Sequence, residues 1–129
     1  MFSKGLLFGA LFFVPLVLSA HHSVALNFSD EIVTFEGTVV SVKWINPHGS
    51  FVLEVTNQDG TSEEWIVEML ARIALQRQGF DFDAIQEGDQ IQLSGRVGYR
   101  ERTIIFGEAV LPDGTIVRER SPVRERFRK

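Results

Sequence analysis

The chain has 129 residues, no cysteine and a formal net charge of −4. That length suits one domain rather than two, and the missing thiols exclude disulfides, thiolate metal sites, thiol nucleophiles and covalent haem attachment. The charge is unevenly divided, with six Lys/Arg against fifteen Asp/Glu in residues 21–117 and six against two in residues 118–129, so the acidic body repels phosphate and nucleic acid is excluded as a partner.

Residues 1–20 read as a secretory signal peptide. Lys4 supplies the positive start, residues 5–18 carry no charge, Ser19 and Ala20 are small, and polar sequence begins at His21. The apolar run is shorter than the roughly 20 residues that span a bilayer, and Pro15 interrupts it. The expectation is cleavage after Ser19 or Ala20 and a periplasmic or secreted body over residues 21–117.

Residues 31–43 are β-branched and alternating. Gly37 sits inside them, and the apolar parity changes afterwards, which suggests a long strand with a bulge or bend at the glycine. Asn46-Pro47-His48-Gly49 is a turn. Residues 50–56 form a second strand, Asn57-Gln58-Asp59-Gly60 a hairpin loop, and residues 62–68 a third strand. Leu70, Ile73, Ala74 and Arg77 then follow helical spacing, and Gly79 is suited to a C-terminal cap, which places a helix over residues 70–78. Residues 80–87 read as a covering loop. A fourth strand over 90–97 and a fifth over 103–111 follow, then the turn Pro112-Asp113-Gly114 and a short sixth strand over 115–117. Residues 118–129 form a basic, flexible tail, suited to weak contact with an anionic membrane surface.

Three strands, a helix and two or three more strands is the order of a mainly β, OB-like antiparallel barrel with its helix between strands three and four. An open sheet with a helix on one face is the alternative. Phe51, Leu53, Ile66, Ile73, Leu93 and Ile105 are the expected core.

Four segments fall together in order: AHHS at 20–23, VKWINPH at 42–48, EEWIVE at 63–68 and RQGFDFDAIQEGD at 77–89. The set resembles a family of small exported bacterial proteins catalogued as a domain of unknown function, with a double His beyond the signal and a Trp-x-Asn-Pro-His turn. The family usually has Trp where this chain has Phe80. The resemblance implies fold and compartment and brings no established activity.

The three histidines are His21, His22 and His48. After cleavage at Ala20, His21 carries the free amine, and amine and imidazole together chelate a metal that a further imidazole completes. After cleavage at Ser19, Ala20-His21-His22 places a histidine close behind the amine, an arrangement suited to copper(II) or nickel(II). Nitrogen-rich sites favour copper(II), so copper(II) is the expected cofactor if there is one. The competing reading is that these histidines are merely polar and His48 a turn residue. A straight strand, at about 3.3 Å per residue, would keep His48 from sharing a metal with the terminus.

Trp44, Asn46 and Trp65 are the candidates for binding a small envelope ligand. For both tryptophans the alternative is packing. Lys43 and Glu68 are expected as a local ion pair of little energetic weight. No nucleophile elbow or phosphate loop is present, so the chain reads as a binding protein rather than an enzyme.

Overall fold

Apolar residues recur at every second position along most of the body, so the backbone extends and buries one face. In the computed structural model, which describes residues 27–120, this gives six strands and one helix. They are β1 (Phe28–Lys43), β2 (Ser50–Thr56), β3 (Ser62–Glu68), α1 (Arg72–Arg77), β4 (Gln90–Gly98), β5 (Thr103–Val110) and β6 (Ile116–Arg118). Among the described residues no helix is long and apolar enough to cross a membrane.

β1 is the strand around which the sheet curls. It pairs with β4 from Phe28↔Gly98 to Thr38↔Gln90 and with β2 from Thr38↔Glu54 to Lys43↔Ser50. β2 pairs with β3, and β4 with β5, both antiparallel. β3 meets β5 from Ile66↔Thr103 to Glu68↔Ile105. The strands therefore close into a ring in the order β1-β2-β3-β5-β4, with the helix between strands three and four as expected. The closing pair β3–β5 is parallel, where the sequence reading had antiparallel pairs throughout. The reason is parity: five strands in a closed ring cannot all alternate in direction. β6 extends the sheet by pairing with β5 beyond this point.

The parity change in β1 is real, and it lies at a register shift between Val39 and Ser41 rather than at Gly37. Gly37 has another role. A Cβ there would lie 2.4 Å from the Glu54 backbone carbonyl, because β2 crosses β1 at that point. The core inside the ring includes Val39, Phe51, Leu53, Val67, Leu93, Ile104 and Phe106, all fully buried. Four of the six residues expected there, Phe51, Leu53, Leu93 and Ile105, are buried.

Ile66 and Ile73 are not: they remain 42% and 49% exposed. In β3 three apolar residues stand in a row, and the inward face is taken by Trp65 and Val67, which turns Ile66 outward. The helix is shorter than expected and docks through Leu75, its buried residue. With only six residues, one side chain suffices to anchor it. Residues 80–87 do cover the core, which Ile85 enters and against which Phe80 and Phe82 pack.

The C-terminal stretch assigned to the flexible tail begins inside the domain. Arg118 belongs to β6 and meets Glu108 at 2.8 Å. Glu119 is buried, and its Oε2 accepts the Leu70 backbone N–H at 2.9 Å. The Arg120 backbone N–H donates to Gln78 Oε1. Residues 1–26 and 121–129 lie outside the described residues, and with them the segment expected to be a signal peptide and the rest of the expected tail.

Candidate functional site

The turn after β1 is fixed by contacts with residues more than twenty positions away. The Trp44 indole is half-buried and meets the edges of Phe80 and Phe82, with ring centroids 5.6 and 5.5 Å away. The Arg72 guanidinium lies 5.0 Å over the Phe82 ring, and its Nη1 donates to the Trp44 carbonyl at 3.2 Å. Such a cation over an aromatic face is favourable at the surface. Gly49 N–H donates to the Leu70 carbonyl at 2.9 Å, and Met69 N–H to the Gly49 carbonyl at 2.8 Å. A Cβ on Gly49 would stand 3.0 Å from that Leu70 oxygen, so a side chain there crowds the junction.

Asn46 acts on the helix. α1 begins after Ala71, which offers no side-chain cap, and the first N–H groups of a helix need outside acceptors. Asn46 Oδ1 accepts the Ile73 N–H at 3.2 Å, and the Ile45 carbonyl accepts the Arg72 N–H at 3.1 Å. A residue of the turn thus supplies what a Ser or Asp at the helix start would normally give. Asn46 is a structural cap here, and the Asn46-Pro47 peptide is cis.

His48 is different. It is exposed, as are Ile45 and Pro47, and among the described residues it has no hydrogen-bond partner. The loop is held by Trp44, Asn46 and Gly49 while His48 points no group into the body. Beside it, Ile45 and Ile73 are 53% and 49% exposed on two segments that hydrogen bond to each other. No local pattern signals this pair, because helical periodicity assigns Ile73 to the core.

The two tryptophans stand in separate aromatic groups. Trp65 stacks on Phe35 with centroids 4.6 Å apart, and among the described residues no ring contact joins it to Trp44. Glu68, expected beside Lys43, instead meets Arg100 at 3.2 Å. That contact links the end of β3 to the turn after β4.

His21 and His22 lie outside the described residues. His48 follows the end of β1, whereas Phe28, at the start of that 16-residue strand, pairs with Gly98. Among the described residues there is no group of three His, Asp or Glu placed to hold a metal ion. An open groove over β1, β2, β4 and the end of β5 is lined by polar residues, among them Glu36, Glu54 and Gln92, and by the apolar Ile91, Val110 and Leu111. It contains none of the residues nominated from sequence.

Among the described residues two carboxyls are shifted, both in hairpin turns. The Asp59 carboxyl is lowered by the Thr61 hydroxyl, which donates to Oδ1 at 2.6 Å, and then by the Thr61 backbone N–H at 2.9 Å. The Asp113 carboxyl is lowered by the Thr115 backbone N–H at 2.9 Å and then by the Thr115 hydroxyl. Both are fully exposed and serve the turns rather than a cleft.

No curated protein and no solved structure matches the chain. A family model does match, over residues 10–106, and the chain belongs to that family of unknown function, DUF6152.

Proposed function

We propose that this is a small exported binding protein of the cell envelope whose contact surface is the loop of residues 44–49 together with the start of α1. One observation supports it above the others. The loop is immobilised by its own Trp44, Asn46 and Gly49, yet Ile45 and His48 stand exposed beside Ile73. Rigid scaffolds that display a fixed, exposed loop are the usual platform for recognition, and exposed apolar residues grouped in one place mark contact sites more than scattered ones do. The role is binding, with no chemical step.

The test is site-specific photo-crosslinking in the intact envelope. A photoreactive residue at position 45, 48 or 73 is expected to give discrete adducts, while one at Gln58, on the β2–β3 hairpin, gives none. Equal labelling at all four positions would overturn the reading.

A second reading is copper(II) binding through His21 and His22, with His48 as a further ligand. Its support is the exposed imidazole of His48. Ligand nitrogens must be deprotonated, so affinity would fall as pH drops through about 6. Copper(II) titration of a chain beginning at His21 tests it. Acetylating the amine should abolish tight binding, and His48→Ala should weaken it about tenfold only if the three histidines share one ion. Tight binding that survives replacement of both His21 and His22 would end this reading.

A further inference from the structure

We infer that the pole of the ring formed by the 44–49 loop, α1 and the exit of the C-terminal segment docks on an anionic lipid surface. The inference rests on the contact-surface reading above and names its partner. Three observations meet at this pole. Ile45 and Ile73 are both about half exposed there, on segments tied by the Arg72 N–H to Ile45 carbonyl bond and the Ile73 N–H to Asn46 Oδ1 bond. Lys43, Arg72 and Arg77 are exposed around them, and α1 has no acidic residue in its first turn. The last described residues also lie here, because Glu119 is held by Leu70 and Arg120 by Gln78, the residue that ends α1.

The charge distribution orients the molecule. Beyond Arg120 there are nine residues, with Arg124, Arg126, Arg128 and Lys129 against the single acid Glu125, and with Phe127 among them. The opposing charges at the pole are Asp81 and Asp83, on the loop after α1, and the buried Glu119. Among the described residues Lys43, Arg72, Arg77 and Arg120 stand against these three carboxylates, and the sequence that follows adds four cations and one acid. The rest of residues 21–117 holds three arginines against thirteen carboxylates. An anionic surface attracts the first set and repels the second, which turns the isoleucine pair toward the membrane. Basic residues flanking a few exposed apolar ones are the usual means of interfacial attachment. A neutral or basic protein partner would gain nothing from the cationic rim, and an acidic one would show as protein adducts without vesicle binding.

The experiment is co-sedimentation of the chain from residue 21 to 129 with phosphatidylcholine vesicles, with and without about a third phosphatidylglycerol. This chain keeps the whole ring and its core. Binding is expected only to the anionic vesicles, falling at least tenfold between about 0.05 and 0.5 M salt as screening shortens the reach of the charges. The double variant Ile45→Ser/Ile73→Ser should bind at least fivefold more weakly. Ile32→Ser/Ile116→Ser, which removes exposed isoleucines elsewhere, should bind as the parent does, and circular dichroism checks that both variants fold. No preference for anionic vesicles overturns the inference. So does binding untouched by Ile45→Ser/Ile73→Ser and lost on truncation after Arg120, since the tail then acts alone. Protein adducts at positions 45 and 73 without vesicle binding would overturn the lipid partner and leave the contact surface standing.

Discussion

The 44–49 loop and the β2–β3 hairpin both join neighbouring antiparallel strands, but they are held in opposite ways. The hairpin is self-contained. Asn57 N–H donates to the Thr61 carbonyl, Gly60 N–H to the Asn57 carbonyl, and Thr61 to Asp59, all within five residues. The 44–49 loop is held from outside, by Leu70, Met69, Arg72, Ile73, Phe80 and Phe82. A turn of the first kind orders itself as the strands form. One of the second kind needs the body complete, and it fixes whatever its exposed residues present.

The largest expected effect is at the outside anchor. Trp44→Ala should destabilise the protein by about 3 kcal/mol, by removing a large ring from a packed aromatic group. Denaturant unfolding measures this, and hydrogen exchange should speed up in α1 as well as in the loop. Unchanged exchange in α1 would show that the loop and the helix are not coupled.

Asn46→Ala comes next. Losing a helix cap costs about 1 kcal/mol, and loss of protection should centre on the Ile73 amide. Asn46→Asp should largely restore stability, because its carboxylate can accept the same bond.

The smallest effect is in the hairpins. The lowered Asp59 and Asp113 carboxyls make a contribution that is fully present above the ordinary carboxylate range of about 4. It is lost as pH falls through their lowered folded values. Nuclear magnetic resonance titration should find both midpoints below that range. Thr61→Ala should raise the Asp59 midpoint and leave Asp113 unchanged; a shift at both would mean that the turns are not independent.

The same division explains what could be read from the sequence. The strands and hairpins were legible because their signals are local: alternation over five or more residues, and Asp-Gly in the turns. The helix was legible in existence and not in orientation. Ile73 and Leu75 are both apolar, and only docking decides that Leu75 goes in. Ile66 failed likewise, since Trp65-Ile66-Val67 is apolar on both faces and its neighbours set the inward side.

At the candidate site, Trp44 and Asn46 stood out as residues, but their partners lie 27 to 38 positions on, beyond any local pattern. Nor does any sequence feature separate Glu119, a buried acceptor, from the charges of the tail around it.

Trp44, Asn46 and Gly49 hold the loop while His48 is left for contact. The most direct test is denaturant unfolding of His48→Ala beside Asn46→Ala. His48→Ala should stay within about 0.5 kcal/mol of the parent, as exposed substitutions do, while Asn46→Ala should lose about 1 kcal/mol. A His48→Ala protein destabilised as much as Asn46→Ala would make His48 part of the scaffold rather than of the contact surface.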